Sequence, residues 1–376
     1  MIGIDLRFMS VNMKDGIISS GVGLFCADVL NGMDKDERND VALIVDDRQK
    51  QAAEKLFGSY KTITCNFLGT ERSRRILRPI DELRYDFLLK KNHIRCLWYP
   101  QATPYHYRHV SIPMISTIHD LITVHENPKD VWWKLGFRKI IRQSKHVVTI
   151  SDYVKQDVMR EFPGVAKKSI HVIPNPVTVN LNETEALPEL EEKPFILDVN
   201  AYQNRKNAIT LLKAYAKADL ASHCELVFCG GYKAEGNFEF LKQRTKELGL
   251  EDHVHFYLSI PINQRNWLLK NAKMLVSPSL SEGFGRTPVE AALCQIPVIT
   301  STADSLVEVT QGMATYYSDP LNEEALSEAL LDTYFHPPTK ERLRQIADAL
   351  RESYDPARIA NEYVKIFKSM IRSKRE

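Results

Sequence analysis

Long hydrophobic runs are missing from this chain: no window of its 376 residues approaches 18 uninterrupted apolar positions, so none reads as a membrane-spanning helix. The opening stretch from Ile2 to Arg7 has no basic leader region, and the expected location is the cytoplasm. Cysteine is sparse. Its six positions form no CxxC pair and no zinc spacing, and several lie in apolar runs, so buried reduced thiols are expected. An excess of charge is lacking too: 50 Lys+Arg against 48 Asp+Glu give +2, which argues against wholesale nucleic-acid binding and against an acidic scaffold.

What is present is a globular composition, 44% hydrophobic and 26% charged, long enough for two domains. Charge is unevenly spread. Positions 1–180 hold 27 Lys+Arg and 20 Asp+Glu, and the remainder holds 23 and 28. Most of the basic excess lies in 71–95, with eight basic residues against four acidic ones. That stretch reads as a solvated helix face or as a patch for anionic lipid or phosphate.

Short apolar runs alternate with amphipathic stretches, the pattern of doubly wound parallel sheets. Strands are predicted at Ile2 to Phe8, Val41 to Val45, Ile63 to Phe67, Cys96 to Tyr99, Met114 to Ile118, Val147 to Ile150 and His171 to Ile173. After Pro174, Asn175 and Pro176 comes an acidic, Pro-containing linker. A second series follows, with strands at Phe195 to Val199, Glu225 to Cys229, Val254 to Phe256, Met274 to Val276 and Val298 to Thr300. The domains predicted are 1–180 and 181–355, with a tail helix at 356–376 packing back on the first.

The most informative segment runs from Ser277 to Glu290, joining a strand end to a helix start. Gly283 and Gly285 let backbone approach a ligand, and the following helix offers unpaired N–H groups for an anion. Glu282 and Glu290, eight positions apart, can accept hydroxyl hydrogen bonds on either side of a phosphate group, the layout of a sugar nucleotide. Thr287, Pro288 and Glu290 also fit a capping box, in which Glu290 only caps its helix. Arg205 and Lys206, just after the first strand of the second series, suit a diphosphate leaving group or form a solvated surface pair. Gly21 and Gly23 precede a helix but lack the third glycine of a dinucleotide fingerprint, which disfavours a dehydrogenase. His119 and Asp120 stand at a strand's carboxyl end, where open sheets present functional groups. His125 and Glu126 match no metal spacing, because HExxH fails at Lys129. Asp34, Lys35 and Asp36 spell a DxD string, read here as a charged turn, and Tyr202, Trp132, Trp133 and Trp267 are read as packing residues.

Together these residues resemble the retaining glycosyltransferases of family 4 (GT4), with mannosyl-type members foremost. The carriers are Gly21-Val22-Gly23, Thr117 to Leu121, Ile150 to Tyr153, Ile173 to Pro176, Arg205-Lys206-Asn207 and the Glu282 to Glu290 element. The resemblance implies an α/β GT-B fold, two Rossmann-like parallel-sheet domains facing across a cleft, and transfer of a hexose from a nucleotide diphosphate sugar. It implies catalytic roles for His119, Asp120 and Glu282, with His119 near the reacting carbon. Lys206, with Arg205, would hold the diphosphate. The amides of Gly283, Phe284 and Gly285 would meet the sugar, Arg286 and Thr287 the phosphate, Glu290 the ribose, and Gly21 and Gly23 the phosphate side of the cleft. No metal or cofactor is implied. The co-substrate expected is GDP-mannose first and a UDP-sugar second, with a glycan or lipid-linked acceptor in cell-surface polysaccharide synthesis and peripheral membrane contact through 71–95. The pattern departs from the family at Asn200 and Ala201, where many members have Gly-Arg, at Tyr257 and Leu258, and at Arg286-Thr287. The lost arginine leaves a second reading, a non-catalytic nucleotide-sugar-binding protein on the same fold.

Overall fold

Runs of Val, Ile and Leu too short for helices and bounded by turn residues form thirteen strands among the described residues. The chain is represented by a computed structural model describing residues 1–9, 20–68, 74–165, 169–199, 201–231 and 236–372. The first sheet contains β1 (Ile2–Asp5), β2 (Val41–Val45), β3 (Lys61–Thr64), β4 (Cys96–Tyr99), β5 (Met114–Ile118), β6 (His146–Thr149) and β7 (Ser169–Val172). Its order is β3-β2-β1-β4-β5-β6-β7, parallel throughout. The second contains β8 (Phe195–Val199), β9 (Glu225–Gly230), β10 (Val254–Leu258), β11 (Met274–Ser277), β12 (Val298–Ser301) and β13 (Thr315–Tyr317), in the parallel order β10-β9-β8-β11-β12-β13.

Helices cover both faces of each sheet, so the central strands are buried on both sides. Every residue of β1, β2, β4, β5, β8, β9, β11 and β12 is buried, which explains their unbroken apolar runs. Two predicted strands are shorter than expected. The chain leaves β1 after Asp5 because Arg7 turns back onto the Asp5 carboxylate, and β3 ends at Thr64 rather than Phe67. The three-residue edge strand β13 carries too little pattern to be read from sequence.

The chain divides into two units, Met1–Pro176 with Tyr354–Glu376, and Val177–Ser353. The sequence reading set the division at 180. The difference arises because Asn266 donates to the Asn180 carbonyl at 2.9 Å, tying that part of the linker to the second unit. In the first unit, the helix Pro356–Arg372 lies against the helix Gly21–Gly32 so closely that a Cβ on Gly32 would stand 2.2 Å from the Pro356 carbonyl oxygen. Its Tyr363 ring packs 4.5 Å from Trp98 of β4. The six cysteines are unpaired, five of them buried and Cys294 partly exposed.

Candidate functional site

In each sheet the strand order reverses once, between β1 and β4 and between β8 and β11, and ligands of open α/β sheets bind beyond the carboxyl ends of the strands at such a reversal. In the second unit the loops leaving β8 and β11 meet there. After β8 the chain forms a short 3₁₀ turn, Asn204–Lys206, and Asn207 takes a left-handed conformation (φ 58°) before the helix Ala208–Lys217. The Asn207 amide donates to the carbonyls of Pro278 (3.0 Å) and Pro320 (2.8 Å), and the Leu280 amide donates to the Arg205 carbonyl at 2.7 Å. These bonds lock the two loops together.

The result is a charged cluster. Lys206 Nζ donates to Glu282 Oε1, Arg205 Nη1 to Glu282 Oε2 at 3.2 Å, and Ser279 Oγ to Glu282 Oε1 at 2.9 Å. Lys206 and Glu282 are 8% and 6% exposed, so this is no solvated surface pair. Burial alone would raise the Glu282 pKa, but the charges of Lys206 and Arg205 and the donated hydrogen bonds bring it below the ordinary glutamate value. Asp198 on β8, which the sequence reading missed, lies within the field of both Lys206 and Glu282. It is 2% exposed and its Oδ2 has no hydrogen-bond partner among the described residues. Burial raises its pKa well above the carboxylate range, and Glu282 adds to the rise against the pull of Lys206. Its place inside an apolar strand hid it.

The loop after β11 is held from a second side. Asp304 Oδ2 accepts from the Glu282 amide at 2.9 Å and from Ser281 Oγ at 2.6 Å, while Ser305 Oγ donates to the Glu282 carbonyl at 3.0 Å. Gly285 is left-handed (φ 81°), and a Cβ there would stand 2.5 Å from Leu306 Cδ2, so glycine is needed for both conformation and packing. It is the N-cap of the helix Arg286–Leu293. The capping box on Thr287 therefore does not form, because the helix has already begun. Glu290 instead accepts from Arg286 Nε at 2.7 Å and from Arg265 Nη2, and these cations outweigh burial to hold its pKa below the ordinary value. Arg265, on the helix Ile262–Asn271, was also missed: it lies 25 positions from Glu290 and belongs to no local motif. Each carboxylate is thus met by two cations, and each cluster carries net positive charge beside a helix N-terminus, an arrangement suited to phosphate groups.

In the first unit, Ser20 caps the helix Gly21–Gly32, and its hydroxyl accepts the Gly23 amide at 3.0 Å. That N–H is engaged within the helix cap. Gly21 opens the same turn with no atom of the described residues within 4 Å of its notional Cβ. His119 follows β5, donates Nε2–H to the Pro100 carbonyl at 2.8 Å, and meets Phe25 edge-on at 4.9 Å. Burial pushes its pKa down to about 4 against that hydrogen bond, so at neutral pH it is an uncharged imidazole with Nδ1 as an acceptor. Asp120 Oδ1 accepts the Ile122 amide at 3.1 Å and starts a short helix. His125 bonds to Asp157 at 2.8 Å. Asp34 caps the helix Lys35–Asn39 together with Glu37, which makes the DxD string a helix start rather than a turn. Tyr202 donates to the Phe228 and Tyr257 carbonyls, and Trp267 stacks on Phe195 at 5.8 Å.

Residues 19–181 match the family described as Glycosyltransferase Family 4, and residues 180–349 match Glycosyl transferases group 1. Between them these two glycosyltransferase families account for residues 19–349 of the chain. The chain is 30% identical over 230 residues to an O-antigen chain mannosyltransferase of Salmonella typhimurium, a match taking in 59% of the chain and 62% of that relative's length, under two thirds of it. Its fold is similar to that of a sucrose-phosphate synthase from Thermosynechococcus elongatus (TM-score 0.75, 16% identity, 99% of both chains). It is also similar to Anabaena HepE, solved in complex with UDP-glucose (TM-score 0.71, 15% identity, 98% of this chain and 99% of that one). The two parallel sheets of the chain are those of the GT-B class. Among its described residues no helix is long and apolar enough to cross a membrane.

Proposed function

We propose that this glycosyltransferase moves a hexose, mannose before others, from a nucleotide diphosphate sugar to a glycan or lipid-linked acceptor, with retention of anomeric configuration. The observation that carries this reading is the buried Glu282 held by Lys206 and Arg205 at the strand-order reversal of the second sheet. Breaking a sugar–phosphate bond leaves negative charge on the diphosphate, and preorganised cations in a poorly solvated site stabilise that charge most strongly. Lys206 and Arg205 would meet the diphosphate, and the N-terminal amides at Arg286 and Thr287 would add their dipole. Glu282 would orient the sugar together with the backbone of Gly283, Phe284 and Gly285, and Glu290 would bind ribose. His119, being neutral, would accept a sugar hydroxyl at Nδ1. Gly21 and Gly23 would lie on the phosphate side and Asp120 beside His119. The leaving phosphate oxygen would take the proton of the acceptor hydroxyl as the new bond forms, which requires neither an enzyme nucleophile nor a metal.

GDP-mannose is the donor we favour, supported by the likeness to the O-antigen mannosyltransferase, with a UDP-sugar second, as in the HepE complex. The first unit would take the acceptor, in cell-surface polysaccharide assembly on the cytoplasmic face of the inner membrane. Calorimetric titration with GDP, UDP and ADP and their sugar conjugates tests the reading. Binding of one nucleotide, lost in both Lys206→Ala and Glu290→Ala, is expected. Binding of none would overturn it, and donor binding with no transfer to any acceptor would support the non-catalytic alternative.

A further inference from the structure

The helix Arg74–Lys91 buries Asp81, Tyr85 and Leu89 and turns a second apolar line into solvent. Ile76, Ile80, Leu83 and Phe87 are 80%, 58%, 74% and 67% exposed. Their spacing of four, three and four residues places them on one stripe about 16 Å long. Arg84, Lys90 and Lys91 flank it toward the carboxyl end.

A neighbouring helix repeats the pattern. Val131–Gln143 contains four basic residues and no acidic one. It buries Phe137, Ile140 and Ile141 and exposes Val131 (61%) and Leu135 (57%), with Arg138 and Arg142 continuing the same line. The first helix links β3 to β4 and the second β5 to β6, crossovers that run in the same direction across the sheet. Right-handed crossovers in one direction lie on one sheet face. Contacts agree: Lys139 Nζ is 4.0 Å from Glu82, and Arg78 reaches the carbonyl of Pro104, against which Gly136 packs.

We propose that these two helices form a docking face for an anionic lipid bilayer, the apolar side chains entering the acyl boundary and the basic ones meeting headgroup phosphates. Charge decides among possible occupants. A second copy of this chain would bring like-charged surfaces together, which opposes self-association. An anionic bilayer offers negative charge at the level of the arginines and lysines and hydrocarbon just beneath. The inference does not depend on the donor assignment, since vesicle binding is measured without nucleotide.

The test is co-sedimentation of the full chain with phosphatidylcholine vesicles, with and without phosphatidylglycerol. Binding is expected only with the anionic lipid, and it should weaken with salt. The Leu83→Ser/Phe87→Ser variant should lose at least about tenfold in partitioning, and Arg138→Gln and Arg142→Gln about fivefold each. These positions are exposed, so unchanged thermal unfolding is expected and shows that each variant is folded. Equal partitioning with and without anionic lipid, no effect of the double substitution, or a dimer in light scattering that Phe87→Ser dissolves would each overturn the proposal.

Discussion

Lys206 directs its ammonium onto Oε1 of Glu282, a residue 76 positions further along the chain, and both side chains are buried. One partner comes from the loop after β8 and the other from the loop after β11, so the pair exists only because those two strands are neighbours. Ser279, Arg205 and Asp304 fix the same loop from three directions.

Removing the lysine is therefore expected to act twice. Lys206→Ala should lower donor turnover by about 10²- to 10³-fold, the usual effect of deleting one group that stabilises transition-state charge. It should also cost about 3 kcal/mol of stability, because Glu282 loses its nearest cation in a buried setting. Turnover assays and denaturant unfolding separate the two effects. Unchanged turnover would sink the role assigned to Lys206.

Arg265 and Glu290 are predicted to matter equally for nucleotide binding. Arg265→Gln and Glu290→Gln should each weaken nucleotide affinity by about tenfold, and their effects on stability should couple by about 0.5–3 kcal/mol, as for residues in direct contact. A double-mutant cycle with coupling near zero would show that the pair is not formed in solution.

Gly285→Ala meets two obstacles, a left-handed φ of 81° and the Leu306 side chain 2.5 Å from the new Cβ. A loss of about 1–3 kcal/mol is expected. Gly164→Ala, with no atom of the described residues within 4 Å and no such φ, should stay within about 0.5 kcal/mol. Thermal unfolding of the two variants side by side checks this.

His119 makes stability depend on pH. Its folded pKa of about 4 lies below the ordinary value of 6.5, so between those values the unfolded chain binds the extra proton. Stability from this group is complete above about pH 7 and falls as pH drops from 6.5 toward 4, by up to about 1.4 kcal/mol per unit. His119→Gln should flatten that part of the profile. If the slope of wild type and variant is the same, His119 is not held neutral.

Asp198 works in the opposite direction. Its folded pKa is raised, so the stability tied to its neutral form is complete below the unfolded pKa and is lost as pH rises toward the folded one. Asp198→Asn cannot ionise and should be more stable than the wild-type protein at alkaline pH, with the gap narrowing as pH falls. A variant less stable at every pH would mean that the ionised carboxylate is needed.

Much of this molecule follows from local pattern. Alternating apolar runs and amphipathic stretches dictate two parallel-sheet units, and strand-end loops rich in glycine and charge mark where a ligand belongs, because both signals act over a few residues. Arg205, Lys206, Glu282 and Glu290 could be picked out on those grounds. The capping box at Thr287 shows the limit of local reading: the motif is present, yet the left-handed Gly285 starts the helix before it. Which charges meet was decided by the tertiary structure alone, since Arg265, Asp198 and Asp304 reach their places through strand order and carry no motif of their own. The helix Arg74–Lys91 makes the point most sharply. Its sequence has two apolar lines, Tyr85 with Leu89 and Ile76 with Ile80, Leu83 and Phe87. Periodicity makes both candidates for the core, and only packing against the sheet buries the first and leaves the second facing water.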